Sequence, residues 1–204
     1  MMQHISRFMS GIFSPLLTPS YGVFLALWVS ILCYQQLGTR LVVMLMIFGI
    51  TCVIPMIAIG LLHNFKLIED RSLDERKERH LPYIIAILCH TAATIYLVNV
   101  HAPSWLVAFM GGVILTCTIS LFVNIWWKIS AHCAGTGGLL ALLFFLHSEG
   151  LEAFDLFWLI CIAIIICGVV GSARIYEERH TFWQVAAGFI NGYYSVKILM
   201  NLFA

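Results

Sequence analysis

The sequence predicts an all-α protein whose helices form a polytopic transmembrane bundle. Of its 204 residues, 61% are hydrophobic and 10% are charged, and the mean hydropathy is +0.95. An ordinary soluble domain is about 45–50% apolar and about 25% charged. A soluble chain of this length keeps much of its surface exposed, so it could not hide so many apolar side chains. The composition therefore excludes a soluble globular enzyme and a disordered chain.

The charge balance gives no sign of a polyanionic partner. There are 11 Lys and Arg against 10 Asp and Glu, for a net charge of +1, so the sequence does not predict nucleic-acid binding. The seven cysteines are odd in number and include no Cys-x-x-Cys pair, so neither a disulfide framework nor a zinc site is indicated. Membrane lipids are the partners that this composition favours.

Seven apolar runs are candidate membrane spans. A spanning helix needs about 20 mostly apolar residues, and helices satisfy all their backbone groups inside lipid. The predicted spans are 16–34, 41–62, 82–100, 105–127, a short fifth span at 139–146, 153–171 and 185–203. Residues 1–15 are too short and polar to cross and predict an interfacial helix. The expected fold is one domain, 16–204, with six core spans and one extra N-terminal span.

Three polar stretches, 63–81, 128–138 and 172–184, are separated from one another by two spans each. An even number of crossings returns the chain to the same side, so all three are predicted on one face of the membrane. They hold 15 of the 21 charged residues, which makes this face ionic and the opposite face nearly bare.

This polar face carries cations beside imidazoles, a combination that suits a phosphorylated substrate. Guanidinium groups match phosphate oxygens in pairs, and histidine can act as nucleophile or general acid. Simple solvation of basic loops near a membrane is the alternative interpretation. The residues concerned are Arg76, Arg79, Lys128, Arg174, His80, His132 and His180.

The glycine-rich stretch 128–138 leads directly into a predicted helix with Thr136 as its N-cap. Small residues such as Gly135 let backbone N–H groups approach a phosphate, and a helix N-terminus favours an anion. The alternative is a glycine-rich helix entry that only permits tight packing.

His180 and Gln184 are four residues apart and would share one face of a helix. The Gln184 oxygen could accept a hydrogen bond from His180 Nδ1 and present Nε2 to a substrate, with His132 as the general acid. A metal site built from His132, His180 and Glu177 or Glu178 is the less favoured alternative.

Three motifs resemble those of the type 2 phosphatidic acid phosphatase (PAP2) superfamily, whose signatures are K-x6-R-P, P-S-G-H and S-R-x5-H-x3-D. Arg174 and His180 match the third signature in spacing, with Ala173 in place of its Ser. Ser-Ala-His at 130–132 matches the second loosely, without its Pro and with Ala for Gly. The segment 76–82 has basic residues and a Pro but not the spacing of the first. The resemblance extends over about residues 41–204.

The resemblance implies a membrane phosphatase that acts on an isoprenyl or glycerophospholipid phosphate or diphosphate. His180 would form a phosphohistidine and His132 would protonate the leaving group, with neither metal nor cofactor. Gln184 stands where the family has an orienting Asp, so His180 would be less basic than usual. A non-catalytic transporter or lipid-binding scaffold with a decayed site is the alternative. The residues implied to hold phosphate are Arg174, Lys128, Arg79 or Arg76, Ser130 and Gly135.

The two signals for orientation disagree. Lys and Arg on the polar face predict that it is cytoplasmic, whereas the family resemblance implies a bacterial inner membrane protein whose active site faces outward.

Two further features of the sequence lie within the predicted spans. His90 is an ionisable residue in the third span, where hydrogen bonding to a neighbour is the usual arrangement. The pair Gly188-x3-Gly192 predicts close helix packing in the last span.

Overall fold

The chain forms a helical bundle in a computed structural model that describes residues 6, 8, 10–68 and 75–204. Within these ranges there is no β-strand, only an isolated bridge between Ser30 and Glu152. A π-helical turn, Gly49–Val53, joins the second and third helices. In chain order the α-helices are α1 Thr18–Val29, α2 Leu37–Phe48, α3 Ile54–Asn64, α4 His80–Asn99, α5 Ser104–Val123, α6 Ala131–Ser148, α7 Phe157–Tyr176 and α8 Phe182–Phe203.

Five helical segments of the described chain are long and apolar enough to cross a membrane, which indicates an integral membrane protein. They are Leu37–Asn64, Lys77–Asn99, Ser104–Val123, Ala131–Ser148 and Phe157–Tyr176. The first and last predicted spans are not among these five segments, for different reasons. Helix α1 has 12 residues and is only about 18 Å long. Helix α8 has 22 residues but is less apolar, because polar side chains interrupt it.

The fifth span is longer than the sequence predicts, because α6 begins at Ala131 rather than 139. The expected N-cap at Thr136 is wrong, since Ser130 has extended backbone angles and its hydroxyl accepts a hydrogen bond from the Cys133 N–H at 3.4 Å. The glycines that indicated a loop, Gly137 and Gly138, are instead buried within the helix.

Close packing between α6 and α8 explains those glycines. A Cβ on Gly192 would overlap the Ala134 carbonyl oxygen, and one on Gly188 would overlap the Ser130 carbonyl oxygen. From the other side, a Cβ on Gly137 would lie 2.5 Å from the Phe189 carbonyl oxygen. The predicted close packing at Gly188-x3-Gly192 is therefore confirmed. It holds the first two turns of α6 against the first half of α8.

Exposed aromatic side chains mark both ends of the bundle. Trp126 and Trp183, 76% and 71% exposed, lie at the end that carries the polar stretches 128–138 and 172–184. Trp158, 74% exposed, lies in the first turn of α7 at the opposite end. From Trp158 to Tyr176 the helix rises about 27 Å, close to the thickness of a bilayer's hydrocarbon core. Such aromatic belts are typical of membrane interfaces, so the polar end lies at one membrane surface.

Candidate active site

A cavity of about 400 Å³ begins at the polar end of the bundle and runs into its interior. Four cationic or imidazole side chains line its outer part: Arg79, His132, Arg174 and His180. One comes from each of the first two predicted polar stretches and two come from the third. The chain thus brings together residues that are up to 101 positions apart in sequence.

The structure distinguishes Arg79 from Arg76. Arg79 lines the cavity, is 8% exposed, and donates from Nη1 to the Ile129 carbonyl oxygen at 3.2 Å. Arg76 points to the end of α5, where its Nη1 donates to the carbonyl oxygens of Asn124 and Ile125. The Asn124 side chain donates back to the Arg76 carbonyl at 2.8 Å. Arg76 therefore caps a helix, and Arg79 is the cation of its segment that faces the cavity.

Arg174 lies in the last turn of α7 and is 8% exposed. Its Nη1 donates to Glu177 Oε2 at 2.8 Å and to Ser10 Oγ at 3.2 Å. Its Nε–H is buried and has no acceptor among the described residues. A buried donor without an acceptor is costly, so this N–H favours an anionic ligand in the cavity.

His180 follows the turn that ends α7 and precedes α8, so it does not lie on a helix as the spacing predicted. Its backbone N–H donates to the Arg174 carbonyl at 3.2 Å, which holds the two residues together. The predicted contact with Gln184 is nevertheless present, with 3.1 Å between His180 Nδ1 and Gln184 Oε1. The same oxygen accepts from the Thr181 N–H at 3.2 Å in a capping box at the start of α8. Because an amide oxygen only accepts, Nδ1 carries the hydrogen and Nε2 keeps its lone pair.

The electrostatics of the site keep His180 neutral. Burial, followed by the positive charges of Arg79, Lys128 and Arg174, lowers the pKa of His180 to about 3. Lys128 lies outside the helices and is half-buried, and its own pKa is lowered by burial and by the two arginines. At neutral pH the His180 imidazole is thus an unprotonated base surrounded by cations.

We expect the His180 imidazole to stay neutral well below the usual histidine range. In detergent-solubilised protein, its NMR titration should have a midpoint below about pH 5, since burial and three cations oppose protonation. Its resonance is assigned by its disappearance in His180→Asn. Lys128→Met should move the midpoint upward because it removes one of the cations. A midpoint near about 6.5, the ordinary value for histidine, would contradict this electrostatic account.

His132 lies in the first turn of α6 and contacts Ser10. Its Nε2 donates to the Ser10 carbonyl oxygen at 3.1 Å. Ser10 thus contacts both His132 and Arg174, while the Ser6 hydroxyl donates to Glu177 Oε1. Neither serine was a predicted site residue, because only the fold brings residues more than 160 positions apart into contact. Glu177 could have been found from its i,i+3 spacing to Arg174.

The remaining predicted phosphate-binding residues differ in position. Ser130 caps α6, and its backbone N–H donates to the Gln184 carbonyl at 3.2 Å, joining the starts of α6 and α8. Gly135 lines the cavity, where a Cβ would lie 2.7 Å from Thr18 Oγ1. Ser130 thus has a structural position, while Gly135 lets α1 approach the cavity wall.

Fold and site together define an integral membrane helical bundle with a cavity that is lined by cations and histidines at one membrane surface. The described residues contain no group of three His, Cys, Asp or Glu side chains able to hold a metal ion. In comparisons with known proteins, the chain matches no family model, no curated protein and no solved structure.

Proposed function

We propose that this protein is a membrane phosphatase that hydrolyses a lipid phosphate or diphosphate. The main observation behind the proposal is that a single cavity has a cationic outer part and an apolar inner part. Its outer part holds two arginines and two histidines, and its inner part is lined by apolar side chains such as Phe109 and Val113. Such a cavity fits an amphiphile whose anionic head meets the cations while its chain extends into the bundle.

The cations bind the phosphoryl oxygens. Arg174 offers its buried Nε–H, and Arg79 and Lys128 add positive charge around His180. Phosphoryl transfer depends mainly on positioning and on neutralising charge, so a preorganised cluster of cations is an effective catalyst. Burial strengthens these interactions because little water competes for the phosphate.

The reaction proceeds in two displacements. His180 Nε2 attacks phosphorus, a P–N bond forms, and the bond from phosphorus to the leaving oxygen breaks. The negative charge of the bound phosphate favours the imidazolium form of His132. The leaving group is an alkoxide for a monophosphate or a lipid phosphate for a diphosphate, and it takes a proton from this imidazolium, which becomes neutral. Water then attacks the phosphohistidine, His132 accepts a proton from that water, and breaking the P–N bond releases inorganic phosphate. His132 must exchange its hydrogen bond to the Ser10 carbonyl for the leaving oxygen.

Gln184 orients His180 without adding negative charge, so its replacement by Asp should increase activity. A carboxylate beside Nδ1 stabilises the imidazolium that develops during attack and raises the pKa of His180. We expect kcat for Gln184→Asp to rise about tenfold, and Gln184→Leu to lower it strongly, because the ring then loses its orienting acceptor. Steady-state phosphate release measures both variants. A decrease with Asp as large as that with Leu would show that Gln184 does not orient the nucleophile.

The motif resemblance supports the same proposal. Arg174 and His180 at the spacing of the type 2 phosphatidic acid phosphatases share one cavity, and His132 belongs to it as well. Within the proposal, the active site faces outward from a bacterial inner membrane, as in that superfamily. A reporter fused after Ala204 tests this orientation. Helix α8 runs from the site to Ala204, so if α8 crosses the membrane a cytoplasmic signal supports an outward site and an external signal contradicts it.

The direct test is phosphate release by the purified protein from a panel of lipid phosphates. The panel contains isoprenyl monophosphate, isoprenyl diphosphate, phosphatidate and phosphatidylglycerol phosphate. Wild-type protein should release phosphate from at least one of them, and His132→Ala should be strongly impaired. If wild type and the variant are equally inactive on every substrate, the enzyme proposal fails.

A lipid-binding scaffold with a decayed phosphatase site is the second candidate. Two observations favour it: Ser10 engages both His132 and Arg174, and Gln184 lacks the charge of an aspartate. Measuring phosphate release distinguishes the two candidates. A scaffold binds lipid phosphates with an affinity that depends on Arg174, but it releases no phosphate.

A further inference from the structure

The inner part of the cavity contains a polar position that the proposed chemistry does not use. His90 lines the cavity from α4 and is 2% exposed. Its Nδ1 lies 3.7 Å from the Cys117 sulfur on α5, while its Nε2 is buried and has no hydrogen-bond partner among the described residues. A buried polar atom of this kind is costly unless a ligand satisfies it.

The hydrogen-bonding roles at His90 follow from its neighbour. Cys117 has a weak S–H donor and a sulfur that accepts poorly, so we assign the 3.7 Å contact as an S–H that donates to Nδ1. A neutral imidazole has one N–H, so Nε2 then carries the hydrogen and requires an acceptor. The matching ligand group is an oxygen acceptor such as a carbonyl.

The depth of this donor follows from contacts between helices. The Asn191 side chain on α8 donates a hydrogen bond to Ser120 on α5, and the next residue, Gly192, packs on Ala134 of α6. Ser120 and Ala134 therefore lie at a similar depth, and Ala134 is two residues along α6 from His132. Cys117 lies three residues further into the bundle than Ser120, so the imidazole that contacts it lies roughly 7 Å below His132. Because Arg174 lies in the last turn of α7, at the polar end, the His90 imidazole lies below the place where the proposed function puts the phosphate.

We propose that His90 Nε2 donates a hydrogen bond to an ester carbonyl of the lipid, so that the cavity selects a diacylglycerol-type phosphate over an isoprenyl phosphate. In an ester-linked glycerolipid the carbonyls follow the phosphate after a few single bonds of about 1.5 Å, roughly 6 Å below it. An isoprenyl chain has only hydrocarbon at that depth and would leave the imidazole N–H unsatisfied. This inference rests on the proposed function for the position of the head group.

The test compares two phosphates of identical charge and chain length that differ only in the linkage: diacylglycerol phosphate with esters and dialkylglycerol phosphate with ethers. Wild-type protein should hydrolyse the ester with a kcat/KM about tenfold higher, because the ether cannot replace the carbonyl acceptor. In His90→Leu the ratio should fall to about one, and His90→Gln, which keeps an N–H donor, should restore part of it. Thr91→Ala, a change at the neighbouring exposed position of α4, is the matched control and should keep the wild-type ratio.

Binding separates this inference from the proposed function. The affinities of non-hydrolysable phosphonate analogues of the ester and the ether are measured with the same proteins in detergent. If the protein hydrolyses neither phosphate yet binds the ester phosphonate about tenfold more tightly through His90, the inference stands and the catalytic proposal falls. Equal affinities and rates for ester and ether in wild-type protein would overturn the inference. This decision rests on wild-type protein alone, so it holds even if a His90 variant does not fold.

Discussion

Replacing His180 with alanine should lower phosphate release from a lipid phosphate by at least about a thousandfold. The imidazole is 6% exposed, Gln184 holds its Nδ1, and three cations surround it, so no neighbouring group can take over its lone pair. Removal of a catalytic nucleophile costs more than removal of any single charge-stabilising contact, because the covalent route is then closed. The remaining activity would reflect only substrate binding and charge stabilisation.

His80 provides the matched control for His180. It belongs to the same polar face but does not line the cavity, and its Nδ1 lies 3.0 Å from the Lys77 carbonyl oxygen. His80→Ala should therefore keep phosphate release within about twofold of wild type. Initial rates under single-turnover and steady-state conditions, with folding checked by size-exclusion elution, give the comparison. Similar losses in the two variants would show that imidazoles on this face matter for solvation or stability and that His180 has no special role.

Replacing Gly192 with valine should disrupt the fold and, with it, the site. The new Cβ would overlap the carbonyl oxygen of Ala134, and its next contacts are also backbone atoms, so neither side can yield by a rotamer change. Helices α6 and α8 would have to separate, with the loss of the packing around Gly137 and Gly188. We expect a loss of several kcal/mol in stability, more than is usual for overpacking, because the obstruction is backbone.

Thermal denaturation in detergent measures this effect. Gly192→Val should lower Tm by about 10 °C or more, since about 1 kcal/mol corresponds to roughly 2–4 °C in a chain of this size. Gly168→Ala is the matched control, because that glycine lies on the exposed side of α7 and an added methyl group would meet no atom within 4 Å. Its Tm should be unchanged or slightly higher. Equal Tm values for the two variants would contradict the close contact between α6 and α8.

The sequence predicts the convergence of the polar stretches because membrane topology constrains it more strongly than local structure does. Once two spans separate each pair of stretches, Arg79, His132 and His180 must return to one face, and the structure brings all three to one cavity. The contact between His180 and Gln184 was also predictable, although the geometry that produces it is a capping box before a helix.

Other features could not be predicted, for reasons that are physical. Glycine and small polar residues at 131–138 indicate a loop when they are considered alone, but in this fold they are helical. They are small because α8 packs too closely against α6 for larger side chains. The contacts of Ser10 with His132 and Arg174 join residues more than 120 positions apart in sequence, so no local pattern encodes them. The difference between Arg76 and Arg79 follows from where α5 ends.

The proposed mechanism requires that His180 becomes covalently phosphorylated during turnover. Protein mixed with a lipid phosphate for milliseconds to seconds and quenched in alkali, which preserves phosphohistidine, is digested and analysed by mass spectrometry. We expect a phosphoryl group on the peptide that contains His180, formed no more slowly than steady-state turnover and absent from His180→Ala. The mechanism would be contradicted if the protein released phosphate at a substantial rate without phosphorylation of His180, or if His180→Ala released phosphate as fast as wild type.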